Sequence, residues 1–181
     1  MKITETKLQG CFLIEPEIIE DQRGAFFETF RKNLLEHKLG YEIDFVQENQ
    51  SFSKKGVLRG LHFQKGSAAQ AKLVRVIHGE VLDIVVDLRP ESETYGHHLK
   101  ITLSGGNHKS LFIPKGMAHG FLALSDTVVF AYKCDAYYNP EMEAGIFFND
   151  LDLGIEWEYP FSELIISDKD RNLPSFKSLF I

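Results

Sequence analysis

Short apolar runs separated by turns constrain the fold of this chain more than any other feature of its sequence. The runs are rich in Val, Ile, Leu and Phe, and Gly, Pro, Asn or Asp residues separate them. Many short strands at even spacing favour an antiparallel sandwich or barrel. We predict single strands in residues 8–14, 25–30, 99–103, 110–113, 121–124, 127–134, 145–148 and 164–166.

Two further segments have clear local signatures. Residues 71–88 (AKLVRVIHGEVLDIVVDL) are two β-branched runs joined through His78-Gly79-Glu80, which predicts a β-hairpin. Residues 31–39 (RKNLLEHKL) place leucines near one face and end at Gly40, a common C-terminal cap residue, so we predict a helix there. The sequence therefore indicates an all-β protein with little helix.

Composition narrows the class of function. Residues 1–181 are 44% hydrophobic and fit a single domain with a substantial core. The net charge of −6 argues against non-specific nucleic-acid binding, which needs a basic surface. No apolar run approaches the ~18 residues of a membrane span and the N-terminus is unlike a signal peptide, so we expect a cytoplasmic protein without a membrane partner. Cys11 and Cys134 match no metal or redox spacing, and we expect both to be reduced and structural.

Residues 45–64 (FVQENQSFSKKGVLRGLHFQ) differ from the other runs because polar side chains lie on both faces. Two extended segments flank a turn at residues 54–56, and such polar strands indicate the lining of a polar cavity. Strict alternation would put Arg59 and His62 on opposite faces. Both can therefore face one cavity only if Gly60 marks a bulge. The polar residues of this stretch are Gln47, Glu48, Asn49, Gln50, Ser51, Ser53, Lys54, Lys55, Arg59, His62 and Gln64.

A metal site is the first chemistry to consider. Pro114-x-Gly-x-x-His119 resembles the second half of the two-part pattern of cupin barrels, in which this histidine is often a ligand. The first half usually offers two histidines one residue apart, but here the sequence reads His62-Phe63-Gln64. An amide oxygen is a poor ligand for zinc or iron, so we predict that no metal is bound.

Without a metal, His62 is available for acid–base chemistry. Lys72 would stabilise a developing enolate if its face points inward, and Tyr132 could act as an acid. Asp170 could orient an imidazole at a separation of about 4 Å or less. From pattern alone, these residues also fit a buried structural histidine, a strand-edge lysine, a core tyrosine and an exposed loop aspartate. The guanidinium groups of Arg23 and Arg59 would suit a phosphate.

An ordered series of motifs extends from about residue 8 to residue 174, and together the motifs resemble the dTDP-4-dehydrorhamnose 3,5-epimerase family. Each motif alone is weak, but their order and spacing make the series specific. The motifs are Asp21-x-Arg-Gly-x-Phe-x-Glu28, Gln47-Glu48-Asn49, Gly56-Val-Leu-Arg-Gly-Leu-His-Phe-Gln64, Gln70-Ala-Lys-Leu-Val-Arg-Val76, Ile113-Pro-x-Gly-x-Ala-His-Gly-Phe121, Tyr132-Lys133, Tyr137-Tyr138-x-Pro-Glu141, Asn149-Asp150, Ile155-Glu156-Trp157 and Ser167-Asp-Lys-Asp170.

The resemblance implies a cupin-type jelly-roll barrel with short flanking helices. It also implies a homodimer with exchanged N-terminal strands, no metal or organic cofactor, and a nucleotide-sugar substrate, dTDP-4-dehydro-6-deoxy-D-glucose. His62, oriented by Asp170, matches the family's base, Lys72 its enolate-stabilising cation and Tyr132 its acid. Tyr138 matches an aromatic residue that stacks on thymine. The residues that the resemblance assigns to substrate binding are Arg23, Glu28, Gln47, Glu48, Asn49, Arg59, His119, Glu143 and Lys169.

Three other functions remain open at this point. An epimerase that inverts only carbon 3 or carbon 5 would use the same His, Lys and Tyr. A non-catalytic barrel that binds nucleotide sugars would not need a complete proton-transfer set. A metal-dependent cupin isomerase or dioxygenase would need ligands in addition to His62 and His119.

Overall fold

The computed structural model describes residues 1–180, which form thirteen β-strands and two α-helices. Single turns of 3-10 helix lie at Gly66–Ala68, Pro140–Met142 and Phe161–Glu163, and a longer 3-10 segment lies at Phe176–Phe180. Within residues 1–180, no helix has the length and apolar composition needed to cross a membrane. The strands and helices are β1 Lys2–Glu5, β2 Phe12–Glu15, β3 Ile19–Asp21, β4 Gly24–Phe26, α1 Lys32–Leu39, β5 Gln47–Lys54, β6 Leu58–Gln64, β7 Lys72–His78, β8 Glu80–Asp87, β9 His98–Ser104, β10 Ser110–Ile113, β11 Met117–Ala123, β12 Thr127–Cys134, β13 Glu143–Gly145 and α2 Asp168–Arg171.

Two antiparallel sheets form the body of the fold. One has the order β1-β2-β10-β7-β12-β5 and the other the order β13-β6-β11-β8-β9, while β3 and β4 form a separate hairpin. The buried core between the sheets contains residues from both, such as Val74 and Phe130 from one sheet and Val85 and Phe121 from the other. This is a cupin-type jelly roll, so the predicted fold class is confirmed.

The prediction of a β-hairpin at residues 71–88 is wrong. Its two strands are consecutive, but β7 pairs with β10 and β12 while β8 pairs with β11 and β9. The chain crosses from one sheet to the other at Gly79, which has a φ of 81°. Because both strands have an apolar inward face, placing them in opposite sheets buries these faces against each other. The stretch at residues 45–64 divides in the same way, with β5 and β6 in different sheets.

Several strand boundaries also differ from the sequence prediction. The segment at residues 8–14 is extended only from Phe12, because Gly10 adopts a left-handed turn with a φ of 77°. The strand predicted at 25–30 ends at Phe26, and the one predicted at 121–124 begins earlier, at Met117. The strand predicted at 145–148 is shifted to β13, and residues 164–166 contribute a single parallel bridge to Val57. The predictions for α1 with its Gly40 cap and for β12 are confirmed.

The C-terminal segment covers the outer face of the five-stranded sheet. Trp157 is buried there in a second apolar cluster, and its Nε1 donates to the carbonyl of Phe148 at 2.9 Å. Further along, the backbone of Ile165 bonds to Leu58 and Gly56 at 3.0 and 2.8 Å. These contacts hold α2 against β6 and therefore position the Asp170 side chain.

Candidate active site

A cavity of about 580 Å³ opens among strands of both sheets and the segment at residues 165–170. A neighbouring cavity of about 360 Å³ shares His62, Lys72 and Tyr132 with it, so the two form one continuous site. The first cavity is lined by the predicted residues Arg59, His62, Lys72, His119, Tyr132, Lys169 and Asp170, and the second adds Gln47, Asn49, Tyr138 and Glu143. The structure therefore brings eleven of the predicted residues together.

His62 and Asp170 form a hydrogen-bonded pair. His62 Nε2 lies 2.7 Å from Asp170 Oδ1, and Asp170 Oδ2 accepts the backbone N–H of Gly60 at 3.1 Å. Burial by itself would raise the pKa of the Asp170 carboxyl, but the bonds from His62 and Gly60 and the charge of His62 outweigh it and hold that pKa below its usual value. An ionised Asp170 accepts a proton-bearing Nε2, which leaves Nδ1 of His62 as the basic nitrogen.

A bulge at Gly60 lets Arg59 and His62 face the same cavity. In the ladder between β6 and β11, His62 pairs with His119 and Arg59 pairs with Phe121, so three steps on β6 oppose two on β11. Gly60 has a φ of 118°, and an added Cβ would lie 2.7 Å from the Cα of Gly120. The extra residue reverses the alternation at this point.

Lys72 and Tyr132 approach the cavity from the opposite sheet. Lys72 opens β7, and Tyr132 lies on the neighbouring β12. Burial lowers the pKa of the Lys72 ammonium, although nearby acidic groups oppose that shift. Burial also raises the pKa of the Tyr132 phenol, so this side chain keeps its proton at neutral pH. A basic imidazole and a protonated phenol therefore lie on opposite walls of one cavity.

His119 is bonded to a carboxylate that the sequence did not suggest. Its Nε2 lies 2.9 Å from Oδ2 of Asp83, a fully buried residue of β8. Burial raises the pKa of the Asp83 carboxyl, and the charge of His119 opposes this. One signal was available in the sequence: Asp83 stands between Val81 and Val85 at the inward positions of an apolar strand.

A polar cluster forms the outer end of the second cavity. Glu143 Oε2 accepts hydrogen bonds from Lys169 Nζ and from the Tyr138 hydroxyl, each at 2.6 Å. Burial would raise the pKa of the Glu143 carboxyl, but these two bonds and the charge of Lys169 hold it below its usual value. Gln47 donates to Asn49 Oδ1 at 3.0 Å and accepts the backbone N–H of Tyr138 at 2.9 Å. The amides thus hold the loop that presents Tyr138.

Gln64, the residue on which the prediction of no metal rests, makes a structural bond. Its Oε1 accepts the backbone N–H of Asn139 at 3.0 Å, and its side chain is buried. Among residues 1–180, no group of three or more His, Cys, Asp or Glu side chains is arranged to hold a metal ion.

Three predicted binding residues do not reach the cavity within one chain. Arg23 lies on the projecting β3–β4 hairpin, where its side chain is 85% exposed and pairs with Asp21. Glu28 follows that hairpin and pairs with Arg31. Glu48 lies on the outer face of β5, because alternation turns Gln47 and Asn49 inward, and it pairs with Lys133 at 2.8 Å. For Glu48, the placement argues against direct contact with a ligand in this cavity.

The sequence matches the family model described as dTDP-4-dehydrorhamnose 3,5-epimerase over residues 5–178. The protein of that name from Methanothermobacter thermautotrophicus is 50% identical over 172 residues, which cover 94% of this chain and 92% of that protein. The crystal structure of the protein of that name from Elizabethkingia anophelis has a TM-score of 0.96 at 49% identity, with 98% of this chain and 97% of that chain covered. A dTDP-6-deoxy-D-glucose-3,5-epimerase from Legionella pneumophila, solved with dTDP-4-keto-L-rhamnose, has a TM-score of 0.92 at 44% identity and covers 97% and 93% of the two chains.

Proposed function

The chain belongs to the dTDP-4-dehydrorhamnose 3,5-epimerase family, and we propose that it is an isomerase that inverts carbons 3 and 5 of dTDP-4-dehydro-6-deoxy-D-glucose. The product is dTDP-4-dehydro-L-rhamnose. The observation that supports this most is the cavity in which the His62–Asp170 pair faces Lys72 and Tyr132 from the opposite sheet. A base and an acid on opposite walls are what inversion at carbon requires.

His62 removes the proton. The ketone at carbon 4 acidifies the hydrogens on carbons 3 and 5, and Nδ1 of His62 takes one of them as a general base. The electron pair of the broken C–H bond forms the enolate, with negative charge on the carbon 4 oxygen. Asp170 fixes the ring through Nε2 at 2.7 Å and stabilises the imidazolium that results.

Lys72 stabilises the enolate. Its ammonium group lies in the partly buried wall of the cavity, where charges interact more strongly than in water. A cation placed there before the reaction lowers the barrier because it interacts more strongly with the enolate than with the neutral ketone.

Tyr132 returns the proton from the other side. The phenol donates its proton to the carbon, the enolate collapses to the ketone, and solvent then reprotonates the phenolate and deprotonates His62. Because Tyr132 and His62 lie in opposite sheets, the proton leaves from one face of the sugar and returns to the other. The same steps at the second carbon complete the double epimerisation.

The nucleotide binds at the outer end of the site. Tyr138 stacks on thymine, and Gln47 and Asn49 position the sugar and nucleoside through their amides. Arg59 and Lys169 lie at the cavity wall, where they would contact the pyrophosphate or sugar. Glu143 bridges Lys169 and Tyr138, so binding at one of them affects the other.

The protein acts as a homodimer in which the β3–β4 hairpin reaches a second copy. The hairpin pairs with neither sheet of its own chain and exposes Ile19 and Phe26, which are 61% and 69% accessible. Such apolar exposure on a projecting segment is typical of an interface. In this arrangement Arg23 and Glu28 meet the cavity of the second copy, which is consistent with their distance from the cavity of their own chain.

No metal or organic cofactor is needed, because the substrate ketone itself acidifies the reacting hydrogens.

The test is incubation of the protein with dTDP-4-dehydro-6-deoxy-D-glucose in deuterium oxide, followed by proton NMR of the product. With the wild-type protein we expect deuterium at both carbon 3 and carbon 5. With the His62→Ala variant we expect no deuterium at either carbon. His97→Ala, at an exposed histidine away from the cavity, should label both carbons as the wild type does. Label at only one carbon would show a single-site epimerase, and tight binding without label would show a non-catalytic barrel.

A further inference from the structure

The Asp83 carboxylate occupies a position that the core would otherwise fill with an apolar side chain. Val81 and Val85 flank it on the inward face of β8, and Asp83 itself has no accessible surface. Its Oδ1 is buried and has no hydrogen-bond partner among the residues that the structure describes. Burying an incompletely bonded carboxylate costs free energy, so stability does not explain its presence.

A second buried carboxylate on the same strand shows what a structural aspartate looks like here. Asp87 is also fully buried, but its two oxygens accept hydrogen bonds from Arg89, Ser92 and Thr94. These bonds outweigh the effect of burial and lower the pKa of Asp87 to about 2. Asp83 has one side-chain hydrogen-bond partner, His119, which lines the cavity, and the charge of Lys72 also acts on the carboxylate.

His119 lies opposite the proposed base. It pairs directly with His62 in the ladder between β6 and β11, and its ring stacks on Phe130 with centroids 5.9 Å apart. With Nε2 held by Asp83, only Nδ1 remains to meet a ligand. The site thus contains two imidazole–carboxylate pairs, His62 with Asp170 and His119 with Asp83, and the two histidines lie on adjacent strands.

We propose that Asp83 is a positioning residue, which accepts the Nε2 proton of His119 and thereby fixes the ring so that Nδ1 hydrogen-bonds the reacting sugar. This inference rests on the proposed function, since it assigns His119 to the sugar end of the same site. Asp83 does not touch the substrate. It determines the orientation and tautomer of a residue that does.

The variant Asp83→Asn tests this role in the full-length protein. The amide keeps the size of the side chain but can offer Nε2 a donor instead of an acceptor, and so can reverse the tautomer of His119. Misplacement of one contacting group costs on the order of 100-fold, so we expect kcat to fall about 100-fold. The affinity for dTDP alone should stay within about twofold, because Asp83 and His119 are absent from the outer cavity proposed to hold the nucleoside. Asp87→Asn is the matched control, and it should lower the melting temperature without lowering kcat of the folded protein.

A combined variant shows whether Asp83 acts through His119. In a His119→Gln background, Asp83→Asn should change kcat by less than about threefold, because the residue on which it acts is gone. Multiplicative losses in the double variant would overturn the proposal. So would a wild-type kcat for Asp83→Asn, or a loss of activity that merely follows loss of folded protein.

The protonation state of His119 in the wild type can be measured by NMR, and this test depends neither on enzyme activity nor on the folding of the Asp83→Asn variant. In ¹⁵N-histidine NMR of the wild type, with His119 assigned by the resonance that His119→Gln removes, we expect Nε2 to be protonated. An Nε2 without a proton would contradict the proposal. If the wild-type protein failed to exchange the sugar hydrogens, the proposed function would fail, yet the state of His119 would still report on Asp83.

Discussion

Replacing Asp170 with Asn is the most informative single change at the site, because the carboxylate makes two bonds that an amide cannot both keep. Asp170 accepts His62 Nε2 at 2.7 Å and the Gly60 N–H at 3.1 Å. If the amide oxygen stays on Gly60, the amide nitrogen donates to His62 Nε2. The ring proton then moves to Nδ1, the atom that must be free to act as base. If the amide rotates so that its oxygen accepts from His62, its nitrogen faces the N–H of Gly60, and that hydrogen bond is lost.

The expected loss follows from that geometry. An aspartate-to-asparagine change that imposes the wrong tautomer on a catalytic histidine costs about 10⁴-fold in kcat in the serine-protease triad, which is about 5 kcal/mol of activation free energy. We expect a similar loss for Asp170→Asn. KM should change much less, since the proposed mechanism assigns the contact with the reacting hydrogen to His62 and not to Asp170.

The same substitution should change the pH dependence of stability. The pKa of Asp170 is lower in the folded protein than in the unfolded chain, where it is near 3.9. The carboxylate therefore contributes stability above about pH 4, and this contribution is lost as the pH falls through the lower, folded-state pKa. Wild type and Asp170→Asn should differ most at neutral pH and converge in acid.

Steady-state kinetics and urea unfolding at pH 7 and pH 3 measure these effects. Asp168→Asn is the control, because it removes an exposed carboxylate from the same helix without touching His62. Activity of Asp170→Asn within tenfold of the wild type would refute the reasoning, and so would a stability difference that grows as the pH falls.

Two other substitutions test the binding end and the assembly. Tyr138→Ala should raise the dissociation constant of dTDP about tenfold or more, since stacking of a base on an aromatic ring contributes ~1–3 kcal/mol, and kcat should change little. Tyr137→Ala, at the neighbouring and 72% exposed ring, should bind dTDP as the wild type does in calorimetry, and equal losses in both variants would count against the stacking role. Phe26→Glu should convert a dimer to a monomer in sedimentation velocity, because it places a charge on the apolar hairpin. Leu151→Glu, at a side chain that is 93% exposed, should leave the dimer intact, and a Phe26→Glu protein that sediments like the wild type would contradict the exchanged hairpin.

Local sequence signals predicted those parts of the fold that depend on local physics. The helix before Gly40 ends where a left-handed cap residue allows it, and β12 has the bounds that its β-branched run predicts. The bulge at Gly60 was expected only as the condition under which Arg59 and His62 could share a cavity. The register shift in β6 meets that condition. The alternation of side chains along a strand can therefore indicate where a bulge is needed before a structure is known.

The pairing of strands and the contacts between residues that are distant in the sequence were less predictable. The alternation around Gly79 is the same whether β7 and β8 pair as a hairpin or cross between sheets, so the sequence cannot distinguish the two. Asp83 was missed because a carboxylate within an apolar run gives no sign of its partner until His119 is placed beside it. Arg23 and Glu28 are proposed to act on the cavity of a second copy, and the pattern of one sequence does not show which residues meet across two chains.

The central claim is that a base and an acid act from opposite walls, and Tyr132→Phe tests it most directly. Without the phenol, His62 can still remove a hydrogen and return a solvent deuteron to the same face. In deuterium oxide, proton NMR of the nucleotide sugar should therefore show deuterium at carbons 3 and 5 with retained configuration, and epimerised product should fall by at least about 100-fold. Inversion at the wild-type rate would contradict the account.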